Sequence, residues 1–81
     1  MALIFVTKEG CGLCEKAERA LWSLGLPYLR REVDKDPGLF PYALRVPVLL
    51  WQGRVLLEGG FDEKALSELA RRLREGEWTQ S

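Results

Sequence analysis

Two cysteines three positions apart, Cys11 and Cys14, are the residues of this chain best suited to chemistry. A pair at that spacing can cycle between dithiol and disulfide, and the thiolate is the attacking form. The stretch Cys11-Gly12-Leu13-Cys14 follows an apolar run, Ala2-Leu3-Ile4-Phe5-Val6-Thr7. It opens a run in which Leu13, Ala17, Ala20, Leu21 and Leu24 recur at helical spacing. A strand therefore hands over to a helix at the cysteines. The first helical turn carries unpaired N–H groups and the positive end of the helix dipole, which favour a thiolate over a thiol. Cys11, at the extreme N-terminus, is the expected nucleophile. Cys14, one turn further in, is expected to be buried, protonated, and used second.

Paired cysteines have two other common uses. Zinc as a rule takes a tetrahedral ligand set, and the chain offers two thiols and no histidine. Only a dimer pooling the thiols of both copies would complete such a set, so no metal is expected. A purely structural disulfide across so short a loop gains little from closure.

The elements that position this site follow from the rest of the chain. With 81 residues, 47% of them hydrophobic, the sequence suits one small globular domain (residues 1–81, core about 2–74, tail 75–81) and is too short for two. Zero formal net charge gives no broad field toward nucleic acid or an acidic membrane surface. No apolar run approaches the roughly 18 residues of a membrane span. The N-terminus lacks a basic, cleavable leader pattern, so a cytoplasmic protein, monomeric and without nucleic-acid or membrane partners, is expected.

Residues 2–7 read as a central strand and 12–24 as a helix stopped by Gly25. Trp22 falls opposite the helix's apolar stripe. Residues 26–33 read as a second strand, parallel to the first, with Arg30-Arg31 on a solvated edge. A polar turn at 34–38 leads to a short helix near 38–44, where Pro41 fits only a first turn. Residues 46–51 and 54–58 form a hairpin about Gln52-Gly53, with Pro47 at the start of its strand or in a cis turn. Gly59-Gly60 breaks the chain and Asp62 caps a last helix. Its stripe is Ala65, Leu66, Leu69, Ala70 and Leu73, with Arg71, Arg72 and Arg74 near its negative end. Residues 75–81 are expected to fray.

The order β-α-β-α-β-β-α resembles a glutaredoxin-like protein of the thioredoxin fold. Three blocks carry the resemblance across about residues 2–74: Cys11-Gly12-Leu13-Cys14 after the first strand, Val46-Pro47 opening the third, and Gly59-Gly60-Phe61-Asp62 before the last helix. It implies an α/β fold of glutaredoxin type, a four-stranded mixed sheet with flanking helices. The implied activity is thiol–disulfide oxidoreduction on protein or glutathione-mixed disulfides, with Cys11 as nucleophile and Cys14 as resolving thiol. Pro47 would be cis and bring the Val46 backbone beside the Cys11 sulfur. Lys8 would face the thiolate and a glutathione carboxylate, while Gly60, Phe61 and Asp62 would hold the γ-glutamyl group. No tightly bound cofactor is implied. Glutathione, or alternatively a thioredoxin reductase, would return the electrons.

Three features depart from typical glutaredoxins. Gly12-Leu13 stands where Pro-Tyr is usual, Arg45 replaces the threonine before Val-Pro, and Glu9, Glu15 and Glu18 bring negative charge near the site. Cys-Gly-Leu-Cys and Arg45-Val46-Pro47-Val48-Leu49 are similar to a glutaredoxin-like family whose members carry these variants. The alternatives are a thioredoxin-reductase-dependent redoxin and a non-catalytic thioredoxin-fold binding module.

Overall fold

The computed structural model describes residues 3–74, with side chains through Arg72. The elements are β1 (Leu3–Thr7), α1 (Gly12–Ser23), β2 (Tyr28–Glu32), two 3-10 turns (Val33–Lys35 and Pro37–Tyr42), β3 (Val48–Trp51), β4 (Arg54–Glu58) and α2 (Glu63–Arg74). They build one four-stranded sheet in the order β2-β1-β3-β4. β1 runs parallel to β2 and antiparallel to β3, which pairs antiparallel with β4. This is the mixed sheet expected from the sequence. Among the described residues no helix is long and apolar enough to cross a membrane.

Alternation along β1 divides the core. Leu3 and Phe5 face α1 and α2, joining Cys14, Ala17, Ala20, Leu21, Leu49, Phe61, Leu66 and Leu69 in one buried cluster. Val6 faces the other way, toward Val33, Val48 and Leu50, with Leu39, Tyr42 and Ala43 over that face. Phe5, Leu21, Leu49 and Leu66 are fully buried. Each contributes about 1.5–3 kcal/mol by leaving water. Phe5 holds Tyr28 and Phe61 edge-on, at 5.7 and 6.2 Å between ring centroids.

Several boundaries differ from the sequence reading. α1 ends at Ser23, with Leu24 as its cap, and the chain turns through Gly25 at φ 66°. β2 begins at Tyr28 because Leu26 N–H is spent on Leu21 O and Pro27 has no N–H for the ladder. The stretch expected as a helix near 38–44 is instead a 3-10 turn that starts earlier. Asp36 accepts a hydrogen bond from Gly38 N–H at 3.0 Å and Pro37 takes the first position. Pro41 lies inside that turn, not in its opening. β3 starts at Val48, two residues late, after a cis Val46–Pro47 bond.

Leu13 leaves the apolar stripe assigned to α1 and is 56% exposed. Trp22 is exposed as well, its indole N–H donating to the Tyr28 hydroxyl. That hydroxyl donates to Glu18, which also pairs with Arg30 on the exposed β2 edge. The last helix carries Leu66, Leu69 and Ala70 on its buried face as expected. The side chain of Leu73 and the tail at 75–81 lie outside the described residues.

Candidate active site

The site is assembled where β1 ends. Thr7 is the last residue of the strand, and Lys8, Glu9 and Gly10 turn the chain, Gly10 taking the left-handed conformation at φ 76°. Cys11 follows in extended backbone and caps α1: its Sγ accepts the Cys14 backbone N–H at 3.1 Å, while its carbonyl accepts the Glu15 N–H. The sulfur thus occupies the place usually taken by a serine or aspartate oxygen. Cys11 is half-buried. Cys14, one turn on, is 1% exposed and belongs to the core. Both thiols are free.

Burial pushes the Cys14 thiol up, and its hydrogen bond with Cys11 adds to that. Two contacts pull the other way, from the Thr7 hydroxyl and the Lys8 backbone N–H, each of which hydrogen-bonds the Cys14 sulfur. The two cysteines therefore differ in the way their positions on α1 suggest: the outer residue is partly accessible and the inner one is buried, its thiol pushed up.

The other residues named from the sequence gather unevenly. Val46 and Phe61 pack on the same apolar cluster as Cys11 and Cys14. Pro47 is fully buried behind them. Gly59 N–H donates to the Arg45 carbonyl at 3.1 Å, so the loop before Pro47 is tied to the turn that carries Gly60. Arg45 reinforces the tie by pairing with Glu58 and lying 5.5 Å over the Tyr42 ring. Phe61 contributes its ring to the core rather than to the surface. Lys8 has its side chain exposed in the turn, and only its backbone reaches a cysteine sulfur.

Asp62 caps α2 by accepting the Ala65 N–H at 3.0 Å, and that bond holds its carboxyl below the usual range. It also faces a small cleft of about 120 Å3 lined with Leu13, Lys16, Gly60 and Phe61. Leu13 covers Gly60 closely; a β-carbon there would lie 3.1 Å from the Leu13 side chain. A wider, open cleft of about 560 Å3 continues over Lys16, Arg19, Ala20, Asp62, Glu63 and Lys64. Among the described residues no three potential metal ligands come together.

Sequence reasoning missed Thr7 and Lys16. Thr7 is the one buried polar side chain among the described residues, at 2% exposure. Its signal was present: counting by twos from Leu3 and Phe5 places it on the face that α1 covers. Lys16 gave no such signal, because only the folded turn at 59–62 brings its partners beside it.

A sheet of this order with a helix-capping cysteine and a buried partner defines a thioredoxin-like dithiol protein. The profile of the family described as Glutaredoxin-like domain (DUF836) matches residues 2–71, and the chain belongs to that family. Among solved structures, the X-ray structure of Northeast Structural Genomics target protein XcR50 from X. campestris is similar at 32% identity and a TM-score of 0.74, covering 86% of this chain and 96% of that one. The solution structure of the same target has 32% identity and a TM-score of 0.70, over 88% and 94% of the two chains. The thioredoxin-like protein BC3987 shares the fold at 19% identity and a TM-score of 0.64, over 85% and 96%. No curated protein matches the chain.

Proposed function

We propose that this chain is a thiol–disulfide oxidoreductase of the cytoplasm. The observation that carries the reading is the asymmetry of the cysteines: a half-buried Cys11 at the start of α1 stands one turn before a Cys14 that is 1% exposed. Cys11 as thiolate attacks a substrate disulfide, forming a Cys11–substrate disulfide and expelling the other substrate sulfur as a thiolate. Cys14 then loses its proton and attacks the Cys11 sulfur. The bond to the substrate breaks, its second sulfur leaves with the electron pair and takes up a proton, and Cys11–Cys14 remains as the disulfide. Two electrons have passed from the dithiol to the substrate.

The substrates in this reading are disulfide-bearing proteins or glutathione-mixed disulfides, and the protein acts as a monomer without a tightly bound cofactor. Glutathione or a thioredoxin reductase returns the electrons. In this reading Gly60, Phe61 and Asp62 would hold a γ-glutamyl group, and Lys8 and the Val46-Pro47 backbone would serve the substrate beside Cys11.

The test is reduction of a glutathione-mixed disulfide by the whole chain, with NADPH consumption coupled through glutathione reductase or through thioredoxin reductase. Turnover with either system is expected in the wild type. Cys14→Ser should accumulate a mixed disulfide, visible by mass, while Cys11→Ser should form none. A wild-type chain that turns over with neither system and whose Cys14→Ser variant accumulates no mixed disulfide would refute the proposal.

A further inference from the structure

Thr7 has no part in the dithiol exchange as written above, yet its placement is specific. Its hydroxyl is buried in a protein whose other buried side chains, among the described residues, are apolar. A buried hydroxyl needs a partner, and here that partner is the Cys14 sulfur, on which the Lys8 backbone N–H also acts. β1 aims Thr7 at this sulfur by alternation, since Leu3 and Phe5 on the same face meet α1. The neighbours in the Cys14 cluster, among them Phe5, Leu49, Phe61 and Leu66, offer no hydrogen bond.

We propose that Thr7 assists the second step: its hydroxyl holds the Cys14 sulfur in place and donates to it as it becomes the attacking thiolate. The inference rests on the oxidoreductase reading and deepens it. Negative charge must appear on Cys14 inside an apolar core when the Cys11–substrate disulfide is resolved. A hydrogen bond to a charged sulfur is stronger than one to the neutral thiol, so Thr7 favours the reacting form over the resting one. The Lys8 N–H does the same from the backbone. Cys11, whose sulfur is the point of attack, is the titratable group that acts on Cys14, and Lys8 reaches it only through its amide.

The two steps can be timed separately with dithiobis-nitrobenzoate, an aromatic disulfide that releases a coloured thiolate. Attack by Cys11 releases the first equivalent, and resolution by Cys14 releases the second. In Thr7→Val the first release should stay within about twofold of wild type, and the second should slow about tenfold. The pH midpoint of the second phase should rise by about one unit, read with Cys11 already in the mixed disulfide so that its charge plays no part. Thr7→Ser should restore both. Thr7→Ala is a second hydroxyl-free variant, so a folding defect in Thr7→Val does not decide the outcome. An unchanged second phase in both hydroxyl-free variants overturns the assignment. So does a slowing of both phases alike, which marks a structural role. A wild type that gives the first release and never the second removes the resolving step, and with it both the oxidoreductase reading and the role of Thr7.

Discussion

The difference between the two thiols can be measured on single-cysteine chains. Cys11→Ser keeps a good capping side chain at the start of α1, and Cys14→Ser keeps a small residue in the core, so each variant leaves the other cysteine in its place. For iodoacetamide to reach Cys14, the first turn of α1 must open. Opening loses the cap between residue 11 and the Cys14 N–H, about 1 kcal/mol. It also exposes a side chain now 1% accessible, at about 1.5–2 kcal/mol. Together these keep the open form near 1%, so alkylation of Cys14 should be about a hundredfold slower than that of Cys11. Mass spectrometry of quenched samples gives both rates, and in urea the two should converge. If Cys14 under native conditions reacts within about tenfold of Cys11, the helix start is not the barrier described here and the division of roles falls.

Phe61→Ala should destabilise the fold by about 3–5 kcal/mol, since its ring fills the cluster beneath Cys11 and meets Phe5; urea unfolding checks this, and a loss under about 1 kcal/mol would contradict the packing. Asp62→Ala should lower stability above the ordinary aspartate range and change little in strong acid. The Ala65 N–H depresses the folded carboxyl, so its contribution is present above the unfolded value and lost as pH falls through the folded one, which urea midpoints across acid pH would show. Tyr28 should titrate at about 12, raised first by burial and then by Glu18, and appear as a late tyrosinate in ultraviolet absorbance. Its contribution to stability is whole below the unfolded value near 10 and is lost as pH climbs through about 12.

Much of this was legible in the sequence because it is local. The apolar run before Cys11, the helical spacing after it, the Gln52-Gly53 turn and the Asp62 cap each depend on residues within a few positions. What stayed hidden depends on contacts across the chain. Leu13 looks like a core residue by spacing, yet it is exposed and lies against Gly60, forty-seven residues on. Tyr42 and Leu39 cover the second face of the sheet from a 3-10 turn, and Pro37 with Pro41 gave no periodicity by which to expect it. In the sequence Arg45 is only the residue that replaces a threonine before Val46-Pro47, yet in the fold Glu58 and Gly59, thirteen and fourteen residues on, hold it. Thr7 was the nearest miss, since alternation alone places it.

In the proposed exchange, the Cys11 sulfur that caps α1 is also the sulfur that changes partner. In the dithiol it accepts the Cys14 N–H; once bonded to another sulfur it is a poorer acceptor, and the helix start loses part of its support. Folding and electron transfer then share one thermodynamic square. Whatever free energy makes the folded dithiol more stable than the folded disulfide, relative to the unfolded chain, raises the reduction potential by the same amount, about 30 mV for each 1.4 kcal/mol. Substitutions far from the sulfur that tighten or loosen the first turn of α1 should tune the potential without touching a cysteine. If the proposed exchange holds, the helix is, in that sense, one half of the redox couple.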